Sequence, residues 1–186
     1  MSRYFNDSSD YLKRRELRSE YEQWLATMEI DYLVTLSFPQ DTRIASARPM
    51  LSHWFARIDS HYLGRAWSRT SSNQRSFGIA FPENMATNLH HHCLVRLPDC
   101  ARDEPYEAAA ATLQRAWHRV ALRGTCDVRE ITDVTGAARY VVKQAVRPGY
   151  LDQFVLASEF HSRRSGDTGP SNYYRPGKQA RLGHID

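Results

Sequence analysis

The sequence predicts an α+β domain built as a central antiparallel β-sheet flanked by helices. Two observations carry this expectation. Segments with the three-to-four spacing of helices alternate with short β-branched and aromatic runs, and two of those runs are joined by a turn short enough for an antiparallel pair.

The elements follow in chain order. Residues 9–28 read as a helix with Leu12, Tyr21, Trp24, Leu25 and Met28 on one stripe and charged residues elsewhere. Asp31–Phe38 is β-branched and aromatic and is stopped by Pro39, which predicts a strand. Pro49 is placed to open a helix, and Met50, Leu51, Trp54, Phe55, Ile58, Tyr62 and Leu63 give it a buried face. Arg75–Phe81 and Leu89–Leu97 are the next two strands, separated by the turn Pro82–Asn88. Pro105 opens a helix over 105–122, with Tyr106, Leu113, Trp117 and Val120 inward and Gly124 beyond its end. Cys126–Ile131 reads as a further strand. Thr132 or Asp133 then caps a helix at 134–146, which stops before Pro148-Gly149.

A length of 186 residues suits one domain with a tail, and 41% apolar with 25% charged residues is a globular composition. The domain is expected over 1–160 and a flexible basic tail over 161–186, where Gly, Pro, Ser, Arg and Lys replace apolar residues. No apolar run approaches the ~18–20 residues of a membrane span and nothing near Met1 reads as a signal peptide, so a cytoplasmic location is expected. Cys93, Cys100 and Cys126 are odd in number and irregularly spaced, which argues free thiols rather than a disulfide framework or a zinc site. The net charge of +4, carried mainly by Arg, suits a nucleic-acid partner without requiring one.

The residues richest in chemistry are His90, His91 and His92, inside a predicted strand. Side chains alternate along a strand, so His90 and His92 share a face, with Cα atoms roughly 6.5–7 Å apart, and can converge on one divalent ion while His91 points the other way. Polar residues on a solvent-facing strand would give the same pattern. Glu83, across the short turn, can bring a carboxylate to the imidazoles. Two His and one carboxylate, completed by water or phosphate oxygen, suit Mg²⁺ or Mn²⁺ in a phosphate-processing enzyme. Tyr140 and Lys143 are three apart on a predicted helix and share a side of it. A tyrosine hydroxyl can attack a phosphodiester when the developing charge is held, and Lys143 is placed to hold it. Alone, the same spacing is also that of ordinary helix packing.

Taken together, these motifs resemble the HUH endonucleases, and within them the single-tyrosine Rep proteins of rolling-circle plasmids, filamentous phages and small circular DNA viruses. Leu33–Phe38 is similar to the family's apolar Thr-Leu strand, Leu89–Val95 to its His-hydrophobic-His metal strand, and Ala138–Gln144 to its Tyr-x-x-Lys helix. Their order agrees, with Tyr140 lying 48 positions after His92, and the resemblance spans about residues 30–146. It implies an RNA-recognition-motif-like fold and nicking of single-stranded or hairpin origin DNA, with a 5′-phosphotyrosine intermediate and rejoining by reversal. Tyr140 and Lys143 would be catalytic, His90, His92 and Glu83 the metal ligands. Two departures stand out. The middle position of the metal motif is His91, where the family has a large apolar residue, and the chain runs only 46 residues past Tyr140, without a helicase motif. Leu89, His91 and Cys93 read as the inner face, which keeps His90 and His92 as ligands, and strand separation would call on a host helicase.

Three other readings stay open: an HUH tyrosine transposase of the REP-associated kind, a non-catalytic DNA-binding module of the same fold, and an unrelated metal-binding protein. The expected DNA contacts are Arg139, next to the tyrosine, and Arg163, Arg164, Arg175 and Lys178 of the tail, with Tyr173 and Tyr174 between them as stacking rings.

Overall fold

The computed structural model describes residues 4–145, 150 and 153–160, with side chains over 11–143, 150 and 153–160. In chain order it holds helix α1 (Tyr4–Ala26), strand β1 (Tyr32–Ser37), helix α2 (Ile44–Leu63), strands β2 (Phe77–Glu83) and β3 (His90–Arg96), helix α3 (Tyr106–His118), strand β4 (Cys126–Glu130), helix α4 (Val134–Ala145) and strand β5 (Val155–Leu156). The strands form one sheet in the order β4-β1-β3-β2-β5, every neighbouring pair antiparallel. The fold is therefore α+β, an antiparallel sheet with helices on its flanks. Among the described residues no helix is long and apolar enough to cross a membrane.

Period-two alternation sorts the side chains into two cores. Val34, Leu36, Ala80, Cys93, Val95 and Val128 face α2 and α3, where Leu51, Trp54, Phe55, Ile58, Leu113 and Trp117 cover them. Both indoles keep a hydrogen-bond partner there: Trp54 Nε1 donates to Leu113 O and Trp117 Nε1 to Ser37 O, each at 3.1 Å. On the other face Phe77, Ile79, Phe81, Leu94 and Leu156 pack with Tyr21 and Leu25 of α1 and with Ala138, Val141 and Val142 of α4. Asp133 starts α4 by accepting the Gly136 N–H at 3.0 Å, as the capping signal predicts.

Several boundaries differ from expectation. Helix α1 begins at Tyr4, and Leu12, placed on its inner stripe, is 55% exposed because the helix runs past the sheet it packs on. Pro49 does not open α2. The helix starts at Ile44, and Pro49 sits inside it, where the bond it deletes lies near the helix start. Strand β2 starts at Phe77 rather than Arg75. The Arg75 side chain folds back instead, with Nε donating to Thr70 O, Nη2 to Ser68 O, and the guanidinium over the Trp67 ring. Pro82 belongs to β2 and not to the turn. It is tolerated because β5 pairs with β2 only at Ile79 and Ala80, which leaves β2 an edge at Pro82. Helix α3 ends at His118 rather than residue 122, and Tyr106, expected inside, is half-exposed while its hydroxyl donates to Val128 O. Strand β5 and the single 3₁₀ turns at Trp67–Arg69, Ser72–Gln74, Asp99–Ala101 and Ala157–Phe160 were not anticipated. The three cysteines are free thiols. The tail from 161 lies outside the described residues.

Candidate active site

The register of β3 between β1 and β2 builds the site. One row across the sheet runs Ser37–His90–Glu83 and the next Thr35–His92–Phe81, all on the α4 side. His90 and His92 thus share a face, as alternation requires, and Glu83 stands opposite His90 at the end of its strand. Asn84 ends β2 in the left-handed region at φ 53°, a conformation its short polar side chain tolerates.

His92 is the most engaged of these groups. Its Nε2 lies 2.6 Å from Glu83 Oε2 and its Nδ1 3.1 Å from Thr35 Oγ1. An ionised carboxylate only accepts, so Nε2–H donates to Glu83, and Nδ1 of a neutral ring accepts from the Thr35 hydroxyl. The Tyr140 ring meets His92 edge-on, centroids 4.9 Å apart. His92 is 7% exposed and Tyr140 51%, so the imidazole is shielded while the phenol is open to a ligand. His90 is turned by the backbone: its Nδ1 donates to Asn88 O at 2.6 Å.

The opposite face holds His91, fully buried, edge-on to the Phe38 ring at 5.2 Å and with neither ring nitrogen hydrogen-bonded. Burial, with a smaller contribution from His92 and His90, pushes its pKa down to about 3. It is a neutral core side chain in the position of an apolar one, and the inner face Leu89, His91, Cys93 read from the sequence is the buried one.

Among the described residues no three His, Cys, Asp or Glu side chains are grouped as they stand to hold a metal ion. The donor chemistry nevertheless fits one. The His90 Nδ1–H is held by Asn88 O, which leaves Nε2 for ligation and orients the ring, the usual support of a metal-bound histidine; His92 would ligate through Nε2 with its proton moved to Nδ1, where Thr35 Oγ1 would accept it. Two neighbouring ligands of an octahedral Mg²⁺ stand about 3 Å apart. The His92–Glu83 contact, at 2.6 Å, would need to open by only a few tenths of an ångström.

Lys143 is exposed in the last turn of α4, on the same side as Tyr140. Arg139 is also exposed, and its Nε lies 3.9 Å from Glu22 Oε2, so it leans toward α1. Arg163, Arg164, Arg175 and Lys178 lie outside the described residues. Sequence reasoning gave no separate role to Thr35 or to the Asn88 carbonyl, which orient the two rings. Thr35 is on the correct face by alternation alone, but its pairing with His92 needs the strand order, which no local pattern carries.

No family model, characterised protein or solved structure matches the chain.

Proposed function

We propose that the chain is a metal-dependent DNA strand transferase that nicks one strand through Tyr140, in the manner of the rolling-circle initiators its motifs resemble. The observation that carries the reading is the open Tyr140 ring resting on His92, which is itself bound to Glu83 and oriented by Thr35. The helix that bears the nucleophile thus meets the His92–Glu83 pair, with His90 on the same face of β3.

In this mechanism the Tyr140 oxygen bonds to the scissile phosphorus and the P–O3′ bond breaks. The 5′-phosphate stays on Tyr140, the 3′ oxygen takes up the proton that the phenol gives up, and reversal rejoins the strand. When bound at His90, His92 and Glu83, Mg²⁺ or Mn²⁺ supplies positive charge beside the phosphate. Lys143 holds negative charge on the nucleophile's side. The phenol is exposed enough to be reached by a single strand, and its contact with His92 sets its position before DNA arrives.

The test is covalent capture. Wild-type protein with labelled single-stranded DNA and Mn²⁺ should give a denaturation-resistant protein–DNA band, and Tyr140→Phe none, with folding and DNA binding retained. An adduct mapped to another tyrosine would sink the assignment. A second reading, a non-catalytic DNA-binding module, is favoured by the direct His92–Glu83 bond, which satisfies both groups without an ion. DNA binding with no band from the wild type would support that reading over the first.

A further inference from the structure

The hydrogen bonds that hold the two imidazoles of β3 differ in what they permit. The partner of His90 is the Asn88 carbonyl, 2.6 Å from Nδ1. A carbonyl has no proton to give, so the proton of His90 is fixed on Nδ1 and Nε2 keeps a bare lone pair, the tautomer that a ligand needs. His92 stands in the opposite tautomer. Its Nε2–H donates to Glu83 Oε2 at 2.6 Å, and its Nδ1 accepts from Thr35 Oγ1 at 3.1 Å.

For His92 to ligate, the proton on Nε2 must leave and one must arrive on Nδ1. The ring is 7% exposed, and an N–H left there without an acceptor would disfavour that tautomer roughly tenfold or more. A hydroxyl solves this where a carbonyl does not, because it donates in one rotamer and accepts in another.

Thr35 is placed for that exchange. Strand register sets it between His92 on β3 and Asp127 on β4. The Asp127 carboxylate is drawn aside to Arg129 at 3.0 Å, and among the described residues the Thr35 hydroxyl bonds to His92 Nδ1 alone. It can therefore turn without breaking a second bond. Tyr140, edge-on to the imidazole with centroids 4.9 Å apart, keeps the ring in place, so a proton has to move but the ring does not.

We propose that Thr35 is a positioning residue of the centre: its hydroxyl reverses from donor to acceptor as His92 passes from the tautomer bonded to Glu83 to the one that ligates, and ion capture therefore starts at His90. The inference rests on the nickase reading for the presence of a divalent ion. The Nε2–H bond breaks, an Nδ1–H bond forms and water carries the proton, so the charge of the ring is unchanged. Glu83, freed from the imidazole, keeps its negative charge for the ion.

The experiment records long-range nitrogen-15 correlation spectra of the imidazoles in the full chain at about pH 8, above the ordinary imidazole range, first with EDTA and then with Mg²⁺. With EDTA, His92 should show the Nε2–H form and His90 the Nδ1–H form. Saturating Mg²⁺ should convert His92 to the Nδ1–H form and leave His90 as it was. Thr35→Val keeps the β-branched shape and removes the hydroxyl; calorimetry should find Mg²⁺ bound about tenfold more weakly, with the fold intact by circular dichroism. Thr35→Ser restores a hydroxyl and should recover both the affinity and the change of tautomer. Wild-type affinity in Thr35→Val would overturn the inference, as would a Thr35→Ser variant as weak as Thr35→Val. So would a His92 that is already in the Nδ1–H form with EDTA. Covalent capture reads the other proposal separately. The change of tautomer without an adduct sinks only the nickase, and an adduct from a chain whose His92 keeps one tautomer sinks only the role of Thr35.

Discussion

His91 and His92 are adjacent residues of one type with opposite fates, and the difference lies in which face of β3 each occupies. His92 finds Thr35 and Glu83 on the α4 side, whereas His91 enters an apolar core with both nitrogens unpaired. An orphaned buried polar group costs roughly 1–3 kcal/mol, so His91→Leu, similar in volume, should raise stability by about 1 kcal/mol or more in thermal melts and leave strand cleavage intact. A clear loss of stability would mean that the imidazole serves the core in a way its contacts do not reveal. His92→Ala should instead abolish Mn²⁺-dependent adduct formation and lower Mn²⁺ affinity measured by titration calorimetry, with secondary structure unchanged by circular dichroism. Full activity in that variant would remove His92 from the site. This separation was legible in the sequence because period two depends on nothing but the strand. The ring partners were not, since Thr35 is 57 positions away from His92.

At the scale of the element, helix α2 is locked to the sheet at two points. Gly78 gives room to the buried Phe55 ring: a Cβ there would come within 2.7 Å of Phe55 Cε1 and closer still to Cζ. Gly78→Ala should therefore cost about 1–3 kcal/mol through overpacking, read as a lower urea midpoint at unchanged m. A shift inside experimental error would show that the ring moves aside freely. The second point is buried Asp59, whose Oδ1 accepts from Ser76 N at 2.8 Å and Ser76 Oγ at 2.6 Å. Burial raises its pKa against the opposing pull of these bonds. The folded state then holds the proton to higher pH than the unfolded chain does. Its contribution is full below the unfolded value of 3.8 and is lost as pH rises through the folded one. Asp59→Asn keeps the acceptor and removes the titration, so its Tm relative to wild type should climb as pH rises above the unfolded value of 3.8. A flat difference would place the proton elsewhere. Long elements with strong periodicity were legible in the sequence; their ends were not. Pro49 misled because proline tolerates a second-turn position as well as the first, and β5, two residues long, has no period to detect.

At the scale of the molecule, charge sets the long-range behaviour. The segment 163–186 carries five of the 25 Lys and Arg residues, so deleting it should weaken single-strand binding and flatten its salt dependence by about one unit of slope per lost phosphate contact. An unchanged slope would make the segment a bystander. Fold class was readable from the alternation of helical and extended segments, but the strand order was not, because β1 lies between β3 and β4 and every one of its pairings is non-local. That order has a consequence for assembly. The β2–β3 hairpin, with Glu83 and His90 paired across its tight turn, closes over a short loop at small entropic cost. Strand β1 cannot be enclosed on both sides until 126–130 has been made, and α4 is added later still. On a ribosome the histidine strands thus precede the tyrosine helix, so under the proposed nickase function a nascent chain would acquire its ion-binding groups before any means of cutting DNA.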